Sequence, residues 1–186
     1  MPVKFDIEAV RRSAARLGLT AKAVATLETR LKGTLRRRMV VEAKRDMAAE
    51  TLVPKDRLAA DLGGRTTESG VEIVGRRRGI GLINYAGEWG GRTSPGATAQ
   101  VIRGERETIK GAFVAPLGNA RQIVKRVGPK VIATKGRYKG QKRQRIEVEY
   151  GPSVGALLSN KKRGDRLEAF AAKVAIAEVD RLLDIK

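Results

Sequence analysis

The chain has no cysteine and no histidine, and only 4% of its 186 residues are aromatic. Without cysteine there are no disulfides and no thiolate metal sites, which fits synthesis in a reducing cytosol. Without histidine there is no imidazole base, so neither a Ser-His nor a Cys-His nucleophile can be assembled. Few aromatics leave Val, Ile, Leu and Ala to build the core. No apolar run approaches the roughly 20 residues of a membrane span, and the N-terminus does not carry the basic-then-apolar pattern of a signal peptide. The expectation is a chain with no membrane segment, long enough for one domain with its own core.

What the chain has is positive charge, 39 Lys and Arg against 20 Asp and Glu. The excess is uneven. Residues 63–146 hold 18 basic and 5 acidic groups, whereas 147–186 hold 7 of each. A region so biased suits a polyanion or an acidic protein surface; a solvated basic face is the plain alternative.

That basic region contains the strand signals. Between Lys110 and Val154 apolar residues fall in short runs, namely Ala112–Val114, Ile123 with Val124 and Val127, and Ile146, Val148 and Tyr150 in alternation. Gly, Pro or Asn bounds each run, as in strands joined by tight turns. Alternation predicts Ile146, Val148 and Tyr150 on one face and Arg145, Glu147 and Glu149 on the other. Further strands are expected at Val71–Val74, Ile80–Tyr85 and Gln100–Arg103. Residues 86–98 read as a mobile Gly-rich loop. Within it the only tryptophan, Trp89, either folds back on its own domain or anchors a neighbour.

Helices flank the strands. Asp6 is a candidate cap for a short helix over Ile7–Leu17, stopped by Gly18. Thr20 caps a longer pattern to about Glu50, in which Val24, Leu27, Leu31, Leu35, Met39, Ala43 and Met47 recur every three or four residues. At roughly 45 Å this helix exceeds what a compact domain needs, so part of it is expected on another subunit, with Arg36, Arg37 and Arg38 solvated or between subunits. Pro54 opens a short helix over Lys55–Leu62. The last helix is expected to begin after Gly164 or Asp165 and run to Leu183, apolar along Leu167, Phe170, Val174 and Ala177 and again along Ile176, Val179 and Leu183. The fold class is therefore α+β, a small antiparallel β-sheet packed by a long N-terminal helix and a C-terminal helix. The domain expectation is one unit over 1–186: helical arm and short helix (1–62), basic β region with mobile loops (63–154), and C-terminal helix (155–186).

Several motifs invite chemistry and lose it. Gly151-Pro-Ser-Val-Gly155 matches a serine-hydrolase pattern, but there is no base for Ser153, so a strand-to-helix turn is the better account. Glu147 and Glu149 share a strand face but lack a third metal ligand and sit beside Arg143 and Arg145. Gly79-Ile-Gly81 lacks the rest of a dinucleotide fingerprint. Arg163-Gly-Asp165 carries no inference. No catalytic, cofactor or metal residue is assigned. The basic groups remain as candidate contacts for DNA or an acidic partner. They are Arg76, Arg77 and Arg78, then Lys135, Arg137, Lys139, Lys142 and Arg143, with Tyr138 able to stack on a base.

The order of motifs resembles the minor tail protein Z (tail completion) family of long-tailed phages and prophages. The resemblance runs over roughly 20–183. It comprises the long helix, Leu52-Val-Pro-Lys-Asp-Arg-Leu58, Gly79-Ile-Gly-Leu-Ile-Asn-Tyr85, Lys110-Gly-Ala-Phe113, Val124-Lys-Arg-Val127 and Glu149-Tyr-Gly-Pro-Ser-Val154 before a terminal helix. It implies a structural virion protein acting late in tail assembly, at the head-proximal end where tail and head join. It further implies a homo-oligomeric ring, expected to be a hexamer, and tail terminator, tail tube and head-tail connector proteins as partners. Double-stranded DNA is a further candidate partner. The location implied is the virion neck, with the host cytoplasm during assembly. Leu31, Leu35, Met39, Trp89, Ile176, Val179 and Leu183 are the expected subunit-interface residues. A free, sequence-independent nucleic-acid-binding protein is the alternative reading.

Overall fold

The computed structural model describes residues 3–8, 10–12 and 20–183, with side chains as far as Arg181. The fold is α+β. Its residues pack as two compact units, each assembled from discontinuous stretches of chain.

The first unit comprises residues up to Ala49, Lys55–Arg78 and Ser153 onward. Its sheet has the order β1 (Val3–Asp6), β3 (Gly70–Gly75), β2 (Leu62–Thr66), all antiparallel. The register pairs Val3 with Ile73 and Phe5 with Val71, so these side chains share one face. Phe5, Val71 and Ile73 are buried. On the opposite face Glu72, also buried, is paired with Arg65 at 2.5 Å. Asp6 accepts from the Glu8 N–H at 2.9 Å, as its capping role requires, and Glu8 and Val10–Arg12 are helical. The remainder of the expected Ile7–Leu17 helix, residues 9 and 13–17, and its Gly18 stop lie outside the described residues.

Helix α1 (Ala21–Glu50) begins where Thr20 accepts from the Ala23 N–H at 3.3 Å. Its stripe of Leu27, Leu31, Leu35, Met39, Ala43 and Met47 is buried. The expectation that Leu31, Leu35 and Met39 meet another subunit is corrected here. They are 0%, 2% and 0% exposed within this chain, and Leu35 lines a hollow with Phe5, Ile7 and Ala171. Arg36, Arg37 and Arg38 are exposed.

The short helix α2 (Lys55–Asp61) follows Pro54, and α3 (Val154–Leu158) follows Ser153. The final helix, α4, spans Lys161–Leu183. It starts earlier than Gly164 because the Asn160 side chain accepts from the Arg163 N–H at 3.4 Å, carrying Gly164 into the helix. Leu167, Ala171 and Val174 are buried with Phe170 beside them, but Ala177 is exposed and Glu178 is buried instead. Two polar ties set α4 antiparallel to α1. Thr34 donates to Glu178 at 3.3 Å, and Asp46 accepts from Arg163 at 2.5 Å and from Arg166 at 2.7 Å.

These carboxylates give the unit a pH dependence. Burial alone would raise the Asp46 carboxyl, but hydrogen bonds from Arg166 and Arg163, with their charges, outweigh it and hold it below the ordinary range. The hydrogen bond from Arg181 lowers Glu178, and the one from Arg11 lowers Glu28. A carboxylate lowered in the folded state contributes stability above its unfolded value and loses that contribution as pH falls through the folded one. Thermal melts are therefore expected to be flat from neutral pH down to about 5 and then to fall steadily as these groups protonate. An unchanged melting temperature at pH 3 would contradict this account.

The second unit comprises Glu50–Pro54 and Gly79–Pro152. One three-stranded sheet has the order β5 (Glu88–Trp89), β6 (Gly96–Ala99), β7 (Glu107–Lys110). Residues 86–98 thus form most of a hairpin rather than an irregular loop. A second sheet has the order β10 (Lys142–Val148), β9 (Ala120–Ile132), β8 (Ala112–Leu117). Ala97, Ala99, Ala112 and Ile123 make the core between them, with Trp89, Ile109 and Val114 against it. Trp89 is half-buried, its ring 6.2 Å from that of Phe113. Of the two roles open to it, it folds back on its own unit.

Only β4 (Ile80–Gly81) of the expected Ile80–Tyr85 strand is extended, paired with β11 (Tyr150–Gly151). Leu82–Asn84 is a 3₁₀ turn that drives Tyr85 inward until it is fully buried. Gln100–Arg103 forms no strand; Ile102 makes a single bridge to Thr51. The alternation at Ile146, Val148 and Tyr150 does not mark a buried face, since Ile146 and Tyr150 are exposed.

Candidate nucleic-acid interface

The β9–β10 pair builds the site. The turn at Gly118-Asn119 joins β8 to β9, and β8 pairs from Leu117↔Ala120 to Ala112↔Lys125 before it ends. The β9–β10 pairing continues without it to Lys142↔Ile132. From Arg126 outward the structure is a two-stranded ribbon, and all of Gly128–Ile132 is exposed. A register shift lies between Gln144 and Arg145, opposite Gly128-Pro129. Proline has no N–H for a ladder, so a bulge is where a strand accepts it. The Gln144 amide donates to the Gly128 carbonyl at 2.6 Å and closes the gap. At the tip the Ala133 N–H donates to Gln141 at 3.0 Å and the Gly140 N–H to Ala133 at 2.8 Å. The stretch Thr134–Arg145, whose six basic residues, one tyrosine and no acid read as an exposed loop, is instead a turn followed by the start of β10. Lys135, Arg137, Tyr138 and Lys139 occupy the turn, whereas Lys142 and Arg143 stand on β10.

The ribbon concentrates charge. Lys125, Arg126, Lys130 and Arg145 join the predicted cations, and within β10 the only acid is Glu147, ion-paired to Arg145 at 3.1 Å. Glu147 therefore has the cationic partner expected of it, and among the described residues no group of three potential ligands is placed to hold a metal. Between the cations sit exposed apolar side chains, with Val131 59% and Ile132 60% exposed. Covering the exposed part of one such side chain is worth about 1–2 kcal/mol, so the ribbon gains from a partner. Tyr138 already has one: the Arg143 guanidinium lies 3.5 Å from its ring centroid and Arg137 5.8 Å. One ring face is occupied, which removes half the stacking surface foreseen for a base. Near the base of the ribbon Arg126 lies over Phe113 at 4.5 Å.

Arg76, Arg77 and Arg78 are exposed at the end of β3, in the first unit, whereas the ribbon is in the second. The Arg76 backbone is fixed, donating to Asp61 at 2.8 Å and accepting from Gly155 at 2.9 Å. Of the expected interface residues, Ile176 is 64% exposed and Val179 half-buried, and the Leu183 side chain lies outside the described residues. Ser153 caps α3, accepting from the Ala156 N–H at 3.1 Å, which is the turn that its motif suggested.

The sequence reading missed Lys125, Arg126, Lys130 and Arg145 as one surface because Gly128-Pro129 looks like the end of a strand. The available signal was the second apolar pair, Val131-Ile132, beyond it. Comparison with known families, curated proteins and solved structures finds no match to this chain.

Proposed function

We propose that this chain is a structural virion protein of a tailed phage or phage-like particle. It would serve as a tail-completion or neck component at the head-proximal end of the tail, acting in tail assembly and head-tail joining and touching DNA without sequence preference. The observation that carries the reading is the ribbon: a cationic arm with bare β-branched side chains is an element built to be covered by a companion. The motif order described above supplies the class of particle. Exposed Ile176 on α4 and Val41 on α1, 64% and 65% exposed, offer apolar contacts for a homo-oligomeric ring, for which a hexamer is proposed. Tail terminator, tail tube and connector proteins are the proposed neighbours.

Mass spectrometry of purified particles tests this directly: the chain should be present at a fixed copy number, and its absence would refute the assignment. The charge and the ribbon also favour a second reading, a free nucleic-acid-binding protein. Sizing in solution separates the two. A neck component should form rings or bind tail terminator or tube protein, whereas a free binder should remain a monomer or dimer that only engages nucleic acid.

A further inference from the structure

The cations of the ribbon are divided between its two faces. Directly paired residues of an antiparallel ladder share a face, and neighbours along a strand alternate. Arg143 pairs with Val131, Arg145 with Val127 and Glu147 with Lys125, which places Lys125, Arg143 and Arg145 on one side, with Glu147 beside Arg145 as its one acid. Lys142 pairs with Ile132, Gln144 with Lys130 and Ile146 with Arg126, which places Arg126, Lys130 and Lys142 on the other. An acidic protein surface meets one face of a ribbon and leaves the opposite cations in water. A groove with a phosphate wall on each side meets both.

The geometry points to insertion of the 125–148 ribbon into the major groove of a nucleic-acid duplex, with each face directed at one phosphate backbone. A two-stranded ribbon fits a major groove about 12 Å wide. The bulge at Gly128-Pro129, opposite Gln144-Arg145, raises the local right-handed twist, as a ribbon following a groove requires. Faces turned to the two backbones direct their lysines and arginines at phosphates and not at base edges, and Arg143 is held against Tyr138. The contacts are therefore to phosphates, and affinity is independent of sequence. This deepens the DNA-contact part of the proposed function and does not depend on the particle assignment: absence from virions would leave the groove result untouched.

Titration of the whole protein with a short mixed-sequence DNA duplex over a range of salt tests the inference. The pairs Lys130→Gln with Lys142→Gln, and Arg143→Gln with Arg145→Gln, each remove two cations from one face at exposed positions. Each pair should lower the slope of log affinity against log salt by about 1.8, and together they should lower it by about 3.6. The unmodified protein supplies an independent readout. A duplex carrying glucosylated hydroxymethylcytosine, which fills the major groove, should bind at least tenfold more weakly. Distamycin, which fills the minor groove, should leave binding unchanged. A slope that responds to only one pair would overturn the inference. So would indifference to glucosylation, displacement by distamycin, or equal binding of polyglutamate.

Discussion

Replacing Arg163 by alanine is expected to destabilise the first unit by about 3–5 kcal/mol, the cost of breaking a buried ion pair from one side. The guanidinium is 2% exposed. Its Nε donates to Asp46 at 2.5 Å, and its Nη1 donates to the Leu157 carbonyl. It thereby joins α1, the end of α3 and the first turn of α4. Truncation leaves the Leu157 carbonyl without that donor and leaves Asp46 to the half-exposed Arg166, whose pairing water screens. Lysine retains the charge, but one ammonium cannot reproduce the planar fork that serves both acceptors, so Arg163→Lys should fall between wild type and alanine. Urea unfolding followed by far-UV circular dichroism measures this, since all of the long helices belong to that unit. A midpoint for Arg163→Ala within error of wild type would show that the pair contributes nothing net.

In the second unit the largest effect is expected at Tyr85. The ring is fully buried, and its hydroxyl donates to the Pro152 carbonyl at 2.5 Å. A Cβ at Gly151 would come within 2.7 Å of the ring, so the ring and the β11 backbone leave no slack for one another. Tyr85→Ala should cost about 3–5 kcal/mol through the lost contacts and the cavity left behind. Tyr85→Phe keeps the packing and removes only the hydroxyl, for about 1–3 kcal/mol from the orphaned carbonyl. Trp89 reports on this unit alone, because it is the only tryptophan and packs against the Ala97, Ala99, Ala112 and Ile123 core of that unit. Its emission should shift to the red at lower urea in both variants, and earlier in Tyr85→Ala. If the two variants lost the same stability, the hydrogen bond and not the packing would dominate.

The helices were legible because their signals are local. A 3.6-residue stripe and a Thr20 cap place α1 to within a residue, and Ser153 marks α3 through its own side chain. What periodicity does not tell is which surface covers a stripe. Leu31, Leu35 and Met39 read as a subunit interface, yet they are buried within their own chain, and the ties of α1 to α4 through Thr34–Glu178 and Asp46–Arg163 span more than a hundred residues of sequence. Arg163 was hidden for the same reason. Its importance lies in Asp46, and in sequence it is one letter of a short string before an apparent helix start.

The strands were less legible where turn chemistry misled. Gly128-Pro129 is a bulge inside β9, although Gly and Pro ordinarily close a strand, so the two halves of the ribbon do not read as one element. The alternation at Ile146 and Tyr150 looks like half-burial, but Ile146 stands on β10 at the edge of its sheet and Tyr150 on the two-residue β11, and both side chains are exposed. The candidate contacts were half-legible. The cations of the tip stand out as a run without acids, whereas those on β9 become part of the surface only once the register with β10 is known.

A density map of the neck of an intact particle tests the central claim most directly. The account predicts a ring of this chain in which residues 125–148 are covered, with duplex density against both faces of the ribbon. A map in which the chain is absent, or in which the ribbon projects into solvent with nothing against it, would contradict the account.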